Sequence, residues 1–141
     1  QAAQWVPAVA RTDAGIGVEA RMLTRRAGGI VAVGYSEDYR SSFVRSLLVF
    51  DGQPYPFDAA ALMDHQVSGV GFPRSILDMI GRCEVRTWLI PKGKMPFRLP
   101  NAYEPSLMVF PEELTQLFEL RYTRMPGGNF FDLWQCTDPS R

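Results

Sequence analysis

The amino-acid sequence predicts a small three-layer α/β domain, with a mixed sheet of about four to five strands, helices on both faces and one disulfide. Short apolar runs of strand type are separated by helix start and stop signals, and two cysteines stand near the ends of different predicted strands. The length of 141 residues suits one domain. We therefore predict a lead-in segment over residues 1–12 and a single α/β domain over residues 13–141.

The first predicted helix starts at Thr12 or Asp13, since either side chain can cap it. It ends at Gly28 and Gly29, because glycine accepts the left-handed conformation that often follows a helix. An apolar run of strand type, residues 30–33, follows directly. The pattern indicates a helix that leads into a buried strand.

A second helix is predicted after this strand, with Ser36 as its cap and Glu37 and Asp38 in its first turn, where the helix dipole favours acids. It should end by about Arg45, because the apolar run over residues 47–50 reads as a second strand. Two apolar strands separated by a helix predict a parallel pair, since parallel strands need a crossover connection.

The remaining predicted elements alternate in the same way. Asp58 caps a helix that ends near Val67, and Pro111 begins another with acids in its first turn. Between them lie a short helix over residues 75–80 and a strand over residues 84–90, and an aromatic strand over residues 130–136 closes the domain.

Cys83 and Cys136 stand at the start of one predicted strand and the end of another. If these strands pair antiparallel, their opposite ends meet, Val85 lies beside Trp134 and the sulfurs come within bonding reach. The alternative is two unrelated buried thiols. A disulfide predicts an oxidising compartment, which means the periplasm or the outside of the cell.

Charge and composition exclude several functional classes. The chain has 15 basic and 15 acidic residues, without the basic surplus of a nucleic-acid-binding protein. No apolar run approaches the roughly 20 residues of a membrane-spanning helix. There is no glycine fingerprint for a dinucleotide and no ligand spacing for zinc, so no cofactor and no metal are predicted.

The loop after the first strand is one candidate ligand site, through Tyr35, Ser36 and Asp38. Open α/β sheets bind ligands outside the carboxyl ends of their strands, often at a helix N-terminus, so a phosphate or a sugar could bind here. The alternative is that Ser36 and the acids form an ordinary helix cap.

His65 is the single histidine of the chain and follows Asp64. If it faced an acid in one pocket, the chain could be a small hydrolase. The alternative is a partly exposed helical histidine. No residue is assigned a catalytic role, because no nucleophile motif is present.

Lys92, Lys94 and Arg98 make a cationic stretch around Phe97. Such a loop could meet a phosphate, an anionic lipid head group or an acidic sugar, or it could be a solvated turn. Three aromatic residues could provide flat faces on which sugars stack: Trp88, Phe97 and Tyr103.

Three motifs carry a resemblance to a known family. They are Ile30-Val31-Ala32-Val33-Gly34 with the following Tyr35-Ser36-Glu37-Asp38, the stretch Trp88-Leu89-Ile90-Pro91-Lys92-Gly93 through Pro96-Phe97 to Tyr103, and Phe131-Asp132-Leu133-Trp134-Gln135-Cys136. Through them residues 29–136 resemble the extramembrane domain that follows the transmembrane helices in bacterial membrane glycosyltransferases of the dolichyl-phosphate-mannose mannosyltransferase-like group.

The resemblance implies a periplasmic accessory domain, tethered to the membrane in the full-length protein. In that family an acidic residue in a loop between membrane helices is held to perform transfer from a lipid-phosphate sugar, and no part of this chain corresponds to that loop. The implied partners are a glycan or lipid-linked sugar and the membrane-embedded portion of the same protein. Two alternatives stay open: a free-standing periplasmic binding or interaction module that uses residues 92–110, and the small hydrolase.

Overall fold

The computed structural model of this chain describes the backbone of residues 8–37 and 43–137 and the side chains of residues 13–37 and 43–137. Asp38, predicted to contact a ligand, lies outside the described residues. The helices are α1 (Ala8–Ala27), α2 (Val44–Phe50), α3 (Ala59–Val67), α4 (Arg74–Gly81) and α5 (Glu112–Arg121). The strands are β1 (Val31–Val33), β2 (Thr87–Pro91), β3 (Tyr122–Met125) and β4 (Phe131–Cys136).

The four strands form one mixed sheet in the order β1-β2-β4-β3. β1 and β2 are parallel, with Ala32 opposite Trp88. β4 runs antiparallel to both of its neighbours and places Trp134 opposite Trp88. Because successive side chains of a strand point to opposite faces, β1, β2 and β4 each contribute to two separate cores.

Helices cover both faces of the sheet, which confirms the three-layer α/β prediction. α1 and α2 pack on one face, which we call the aliphatic face; its buried residues include Leu23, Leu48, Val31, Leu89 and Leu133. α3, α4 and α5 pack on the other, which we call the aromatic face; its buried residues include Trp88, Phe97, Phe110, Phe118 and Tyr122.

The predicted strand over residues 47–50 is wrong, because this segment belongs to helix α2. Val44 and Leu48 are one helical turn apart and both are buried, whereas Phe50 is 87% exposed. A short apolar run has no periodicity that separates a buried strand from a helix, and here packing on the aliphatic face decides. The parallel partner of β1 is consequently β2.

Other elements also differ from the prediction. Ser36 does not cap a helix, since residues 36 and 37 are not helical and α2 begins at Val44. α1 begins at Ala8 instead of Thr12 or Asp13, so part of the predicted lead-in is helical. Residues 8–11 are Ala-Val-Ala-Arg, which contain no helix breaker. β3 was not predicted as a strand. Asp58 does cap α3 as predicted, and its Oδ1 accepts from the Ala60 N–H at 2.9 Å.

The disulfide between Cys83 and Cys136 is confirmed. The antiparallel pairing of β2, which follows Cys83, with β4, which ends at Cys136, is confirmed as well. The register is not the one predicted, because Trp134 lies opposite Trp88 instead of Val85. Cys83 belongs to the turn after α4, with a φ of 53°, and reaches Cys136 from outside the strand.

A buried carboxylate connects α1 to the loop between β3 and β4. Glu19 is only 7% exposed and accepts the backbone N–H groups of Asn129, Phe130 and Phe131 at 2.5, 2.7 and 3.0 Å. A Cβ on Gly128 would overlap the Glu19 carboxylate, so a larger residue there would displace this carboxylate from its three bonds. One helix residue therefore holds the whole turn.

The outer edge of β1 is covered by a side chain. The Gln53 Oε1 accepts the Val31 N–H at 2.9 Å, and its Nε2 donates to the Gly29 carbonyl at 3.3 Å. These two bonds occupy positions that a further strand would use, so β1 ends the sheet on this side.

Candidate functional site

Two segments that the sequence singled out separately meet at one edge of the sheet. The loop from Tyr35 follows β1 and the loop from Lys92 follows β2, and parallel strands place their carboxyl ends together. The Phe97 N–H donates to the Tyr35 carbonyl at 2.7 Å, and the Lys94 ammonium lies 3.4 Å from the Glu37 carboxylate. We call this region the carboxyl-edge site; it comprises Tyr35, Ser36, Glu37, Arg45, Lys92, Lys94 and Asp132.

Tyr35 forms the floor of the carboxyl-edge site. It is only 5% exposed, and its hydroxyl donates to the Phe57 carbonyl at 2.8 Å. Burial raises the pKa of Tyr35 above its ordinary value, so the phenol stays neutral. Because its proton is already donated inside the domain, the Tyr35 side chain holds the loop in place.

Arg45 brings a positive charge to the same place. Its guanidinium lies 3.8 Å from the centre of the Tyr35 ring, and one Nη donates to the Gly34 carbonyl at 2.6 Å. Burial lowers the pKa of Arg45, which remains protonated because arginine starts so high. Its Nε is buried and has no hydrogen-bond partner among the described residues. Sequence reasoning missed Arg45, since nothing in its spacing placed it on Tyr35.

The loop after β2 is fixed by the neighbouring strand. Asp132, 9% exposed, accepts the Gly93 N–H at 3.0 Å through one carboxylate oxygen. Lys92 turns towards the β3–β4 loop and donates to the Gly128 carbonyl at 2.7 Å. Of the two predicted lysines, Lys94 is therefore the one whose ammonium meets the β1 loop. Asp132 lies within a predicted strand, and no sequence signal distinguished it.

Phe97 connects the two loops under strain. Its backbone is in the left-handed region, with a φ of 61°, and its side chain is buried. A non-glycine residue keeps such a conformation only where the surrounding structure holds it, and such residues concentrate at ligand sites. The bond from Phe97 to Tyr35 is part of what holds it.

The predicted stacking of sugars on three aromatic residues is wrong for two of them. Trp88 and Phe97 are buried in the core of the aromatic face and offer no surface to a ligand. Tyr103 is 64% exposed. Ser36 is buried beside Tyr35, so the predicted loop supplies its contacts mainly through Glu37.

His65 and Arg98 are not brought into the carboxyl-edge site. His65 is an exposed residue of α3, as the alternative interpretation predicted. It lines a pocket of about 60 Å³ whose described lining contains no Asp or Glu. The described lining of this pocket therefore brings no carboxylate to His65. Arg98 is exposed and lines a cleft of about 620 Å³ beside the start of α5.

Within residues 13–37 and 43–137, no three His, Cys, Asp or Glu side chains are placed to hold a metal ion. Nor does any helix in the described part of the chain have the length and hydropathy needed to cross a membrane. What the carboxyl-edge site does offer is charge of both signs on a fixed backbone. Carboxylates accept hydrogen bonds from sugar hydroxyls, and ammonium and guanidinium groups donate to phosphate.

Comparison with known proteins identifies no relative: no protein family, no curated protein and no solved structure matches this chain.

Proposed function

We propose that this chain is a periplasmic accessory domain of a membrane-bound glycosyltransferase-like protein, and that it binds a glycan or lipid-linked sugar in cell-envelope assembly. Binding takes place at the carboxyl-edge site, and sugar transfer takes place in the membrane-embedded portion of the same protein. The domain thus positions a substrate without reacting with it.

The observation that carries this proposal is the junction of the two loops. Phe97 and Tyr35 are 62 positions apart, yet one backbone hydrogen bond joins them where the parallel strands end. Lys94 and Glu37 then place opposite charges side by side, both partly open to solvent. Ligand sites of open α/β sheets lie at this position relative to the strands.

The chemistry of the site suits a phosphorylated sugar. Lys94 and Arg45 can attract a phosphate, while Glu37 and the second oxygen of Asp132 can accept hydrogen bonds from hydroxyls. A ligand that carries both groups uses both signs of charge. An ion pair as exposed as Lys94 with Glu37 contributes little to stability, which leaves its charges available for a ligand.

The disulfide supports a location in the periplasm. Cys83 and Cys136 are joined, and such bonds persist in oxidising environments outside the cytoplasm. The lipid-linked sugars that a cell-envelope enzyme uses are met in that compartment, which agrees with the resemblance in residues 29–136.

A titration tests the proposal. The ¹⁵N-labelled domain is titrated with farnesyl-phosphate mannose, and amide shifts are followed by NMR. We expect saturable shifts at Gly93, Lys94 and Phe97. Lys94→Gln should weaken binding about tenfold, because it removes one charge-assisted hydrogen bond worth roughly 1.4 kcal/mol.

Arg74→Gln is the matched control. Arg74 also forms an exposed ion pair, 3.2 Å from Glu113, but it lies on α4 and outside the carboxyl-edge site. Its replacement should leave the affinity unchanged. Equal losses in both variants, or shifts spread evenly over the surface, would contradict a defined site.

A specific feature favours the interaction module as the second candidate. Residues 99–109 form an exposed hairpin, with Val109 bonded to Leu99 and Asn101 to Leu107. Asn101 is fully buried and its amide bonds Met63 and Gln66 of α3, so the hairpin is firmly held. Its exposed side chains include Tyr103, Leu107 and Met108. This candidate predicts that the sugar phosphate shifts no amide at all.

A further inference from the structure

A depression lies at the other end of strands β1 and β2, where both strands begin. A cleft of about 710 Å³ lies between the last turn of α1 and the segment that follows α2, and a cleft of about 370 Å³ extends from it towards the start of β2. Both are lined by Gly28 and Gly29. We call the two together the glycine groove.

The floor of the glycine groove carries no side chains, and its backbone is held by hydrogen bonds. Gly28 and Gly29 have φ values of 68° and 69°, and a Cβ built on Gly28 would meet nothing within 4 Å. The Gly28 N–H donates to the Thr24 carbonyl at 3.1 Å, and Gln53 holds the Gly29 carbonyl at 3.3 Å. A ligand can therefore approach the backbone closely without ordering it first.

The walls of the groove are positively charged. Arg21 makes two hydrogen bonds to Asp51, at 2.7 and 3.2 Å, and this aspartate is the one acid in the described lining. Arg25 and Arg86 are exposed and line the two halves on either side of the glycines. The lining thus carries two charges that its own acid does not neutralise.

The end of helix α1 explains only part of this charge. Basic residues in a last helical turn interact favourably with the helix dipole, which accounts for Arg25 and Arg26. Arg86 comes from a different element, and its backbone is held on both sides by bonds to Ile30 and Cys136. Its side chain lies beside Gly29, with Cγ 3.7 Å from the place of a Cβ.

We propose that the glycine groove binds a phosphate-bearing anion between Arg25 and Arg86, above Gly28 and Gly29. Planar guanidinium groups bind phosphate through paired hydrogen bonds. Two such groups beside a floor without side chains suit a phosphate better than a bulkier neutral group. This site is independent of the carboxyl-edge site, because it lies at the other end of the strands.

Pyrophosphate is the first probe. Titration of the ¹⁵N-labelled domain should give saturable shifts of the Gly28 and Gly29 amides, with no change at Gly93 or Lys94. The double variant R25Q/R86Q should bind pyrophosphate at least tenfold more weakly, and R74Q should bind it normally. Unchanged affinity in R25Q/R86Q, with an otherwise native spectrum, would overturn the proposal, as would shifts that never saturate.

A second arm separates the two sources of such a phosphate. Sedimentation with vesicles of phosphatidylglycerol and phosphatidylcholine, compared with pure phosphatidylcholine, identifies a lipid head group if R25Q/R86Q abolishes the difference. Pyrophosphate binding without vesicle binding identifies a soluble phosphate ester. Failure of the mannose titration would leave these results intact, because the two probes report on different amides.

Discussion

The two faces of the sheet are packed by side chains of different chemistry. The aliphatic face is filled by residues such as Leu23, Leu48 and Leu89, and its one buried charged side chain is Glu19 among the described residues. The aromatic face is built from rings in contact, such as Phe97 with Phe118 at 5.0 Å between centroids. Aromatic rings favour offset-stacked and edge-to-face contacts, a preference that aliphatic side chains lack.

The two faces are also fastened to the rest of the molecule by different means. Glu19 ties α1 to the β3–β4 loop through three hydrogen bonds. On the aromatic face, the disulfide ties the turn after α4 to β4, and the Tyr122 hydroxyl donates to the Val85 carbonyl. One layer is therefore held by polar bonds and the other mainly by a covalent bond, so different changes should loosen each.

The largest expected effect is loss of the disulfide. Replacing Cys83 and Cys136 with serine should lower the free energy of unfolding by about 4 kcal/mol, because the bond closes a loop with a sequence separation of 53. Urea unfolding followed by fluorescence measures the loss. Hydrogen exchange should accelerate in α4 and β4 well before α1. If hydrogen exchange accelerated equally in both layers, the two faces would not be held by different means.

Removal of the carboxylate should loosen the opposite layer. Glu19→Ala leaves three N–H groups without their acceptor, one of them fully buried at Phe131, and we expect about 3 kcal/mol of lost stability. Exchange should quicken at residues 129–131 and in α1. Glu113→Ala, at an exposed position on α5, is the control and should change stability by less than about 0.5 kcal/mol. Similar losses in both variants would show that Glu19 holds nothing.

The smallest expected effect is an alkaline transition that belongs to the aromatic face. Burial raises the pKa of Tyr122 to about 12 from an ordinary 10, so the unfolded chain loses this proton first. Stability should therefore fall as the pH rises from 10 to 12, by about 2 to 3 kcal/mol at most.

Tyr122→Phe provides the check on this assignment. Urea unfolding at pH 9, 10 and 11 should show a shallower decline in the variant, with a remainder of the same sign from Tyr35, whose pKa burial also raises. Equal slopes in the variant and the unchanged protein would place the transition elsewhere.

Local signals predicted much of the fold. The cap at Asp58, the proline and acids at the start of α5 and the cysteine pair each have a short-range physical cause that a sequence displays. The segment over residues 47–50 has no such local signal, since tertiary packing decides that it is a helix. The strand register was missed by three residues because Cys83 bonds from a turn with positive φ, which spacing alone does not reveal.

The candidate site was predicted in pieces. Tyr35 and Lys94 were identified on separate loops, but their meeting depends on the parallel pairing of β1 with β2. Arg45 and Asp132 were missed because their roles arise from contacts across the fold: one lies over the Tyr35 ring and the other accepts the Gly93 N–H. Such contacts leave no periodic trace in a sequence.

The side chain of Gln53 has a consequence for how copies of this domain behave in a crowded compartment. An open strand edge is a template on which another chain can add, and repeated addition leads to fibrous aggregates. By bonding both Val31 and Gly29, one amide gives β1 the same protection that other proteins obtain from a bulge or a covering helix. Gln53 thus occupies two of the backbone groups that another chain would need in order to add to this edge.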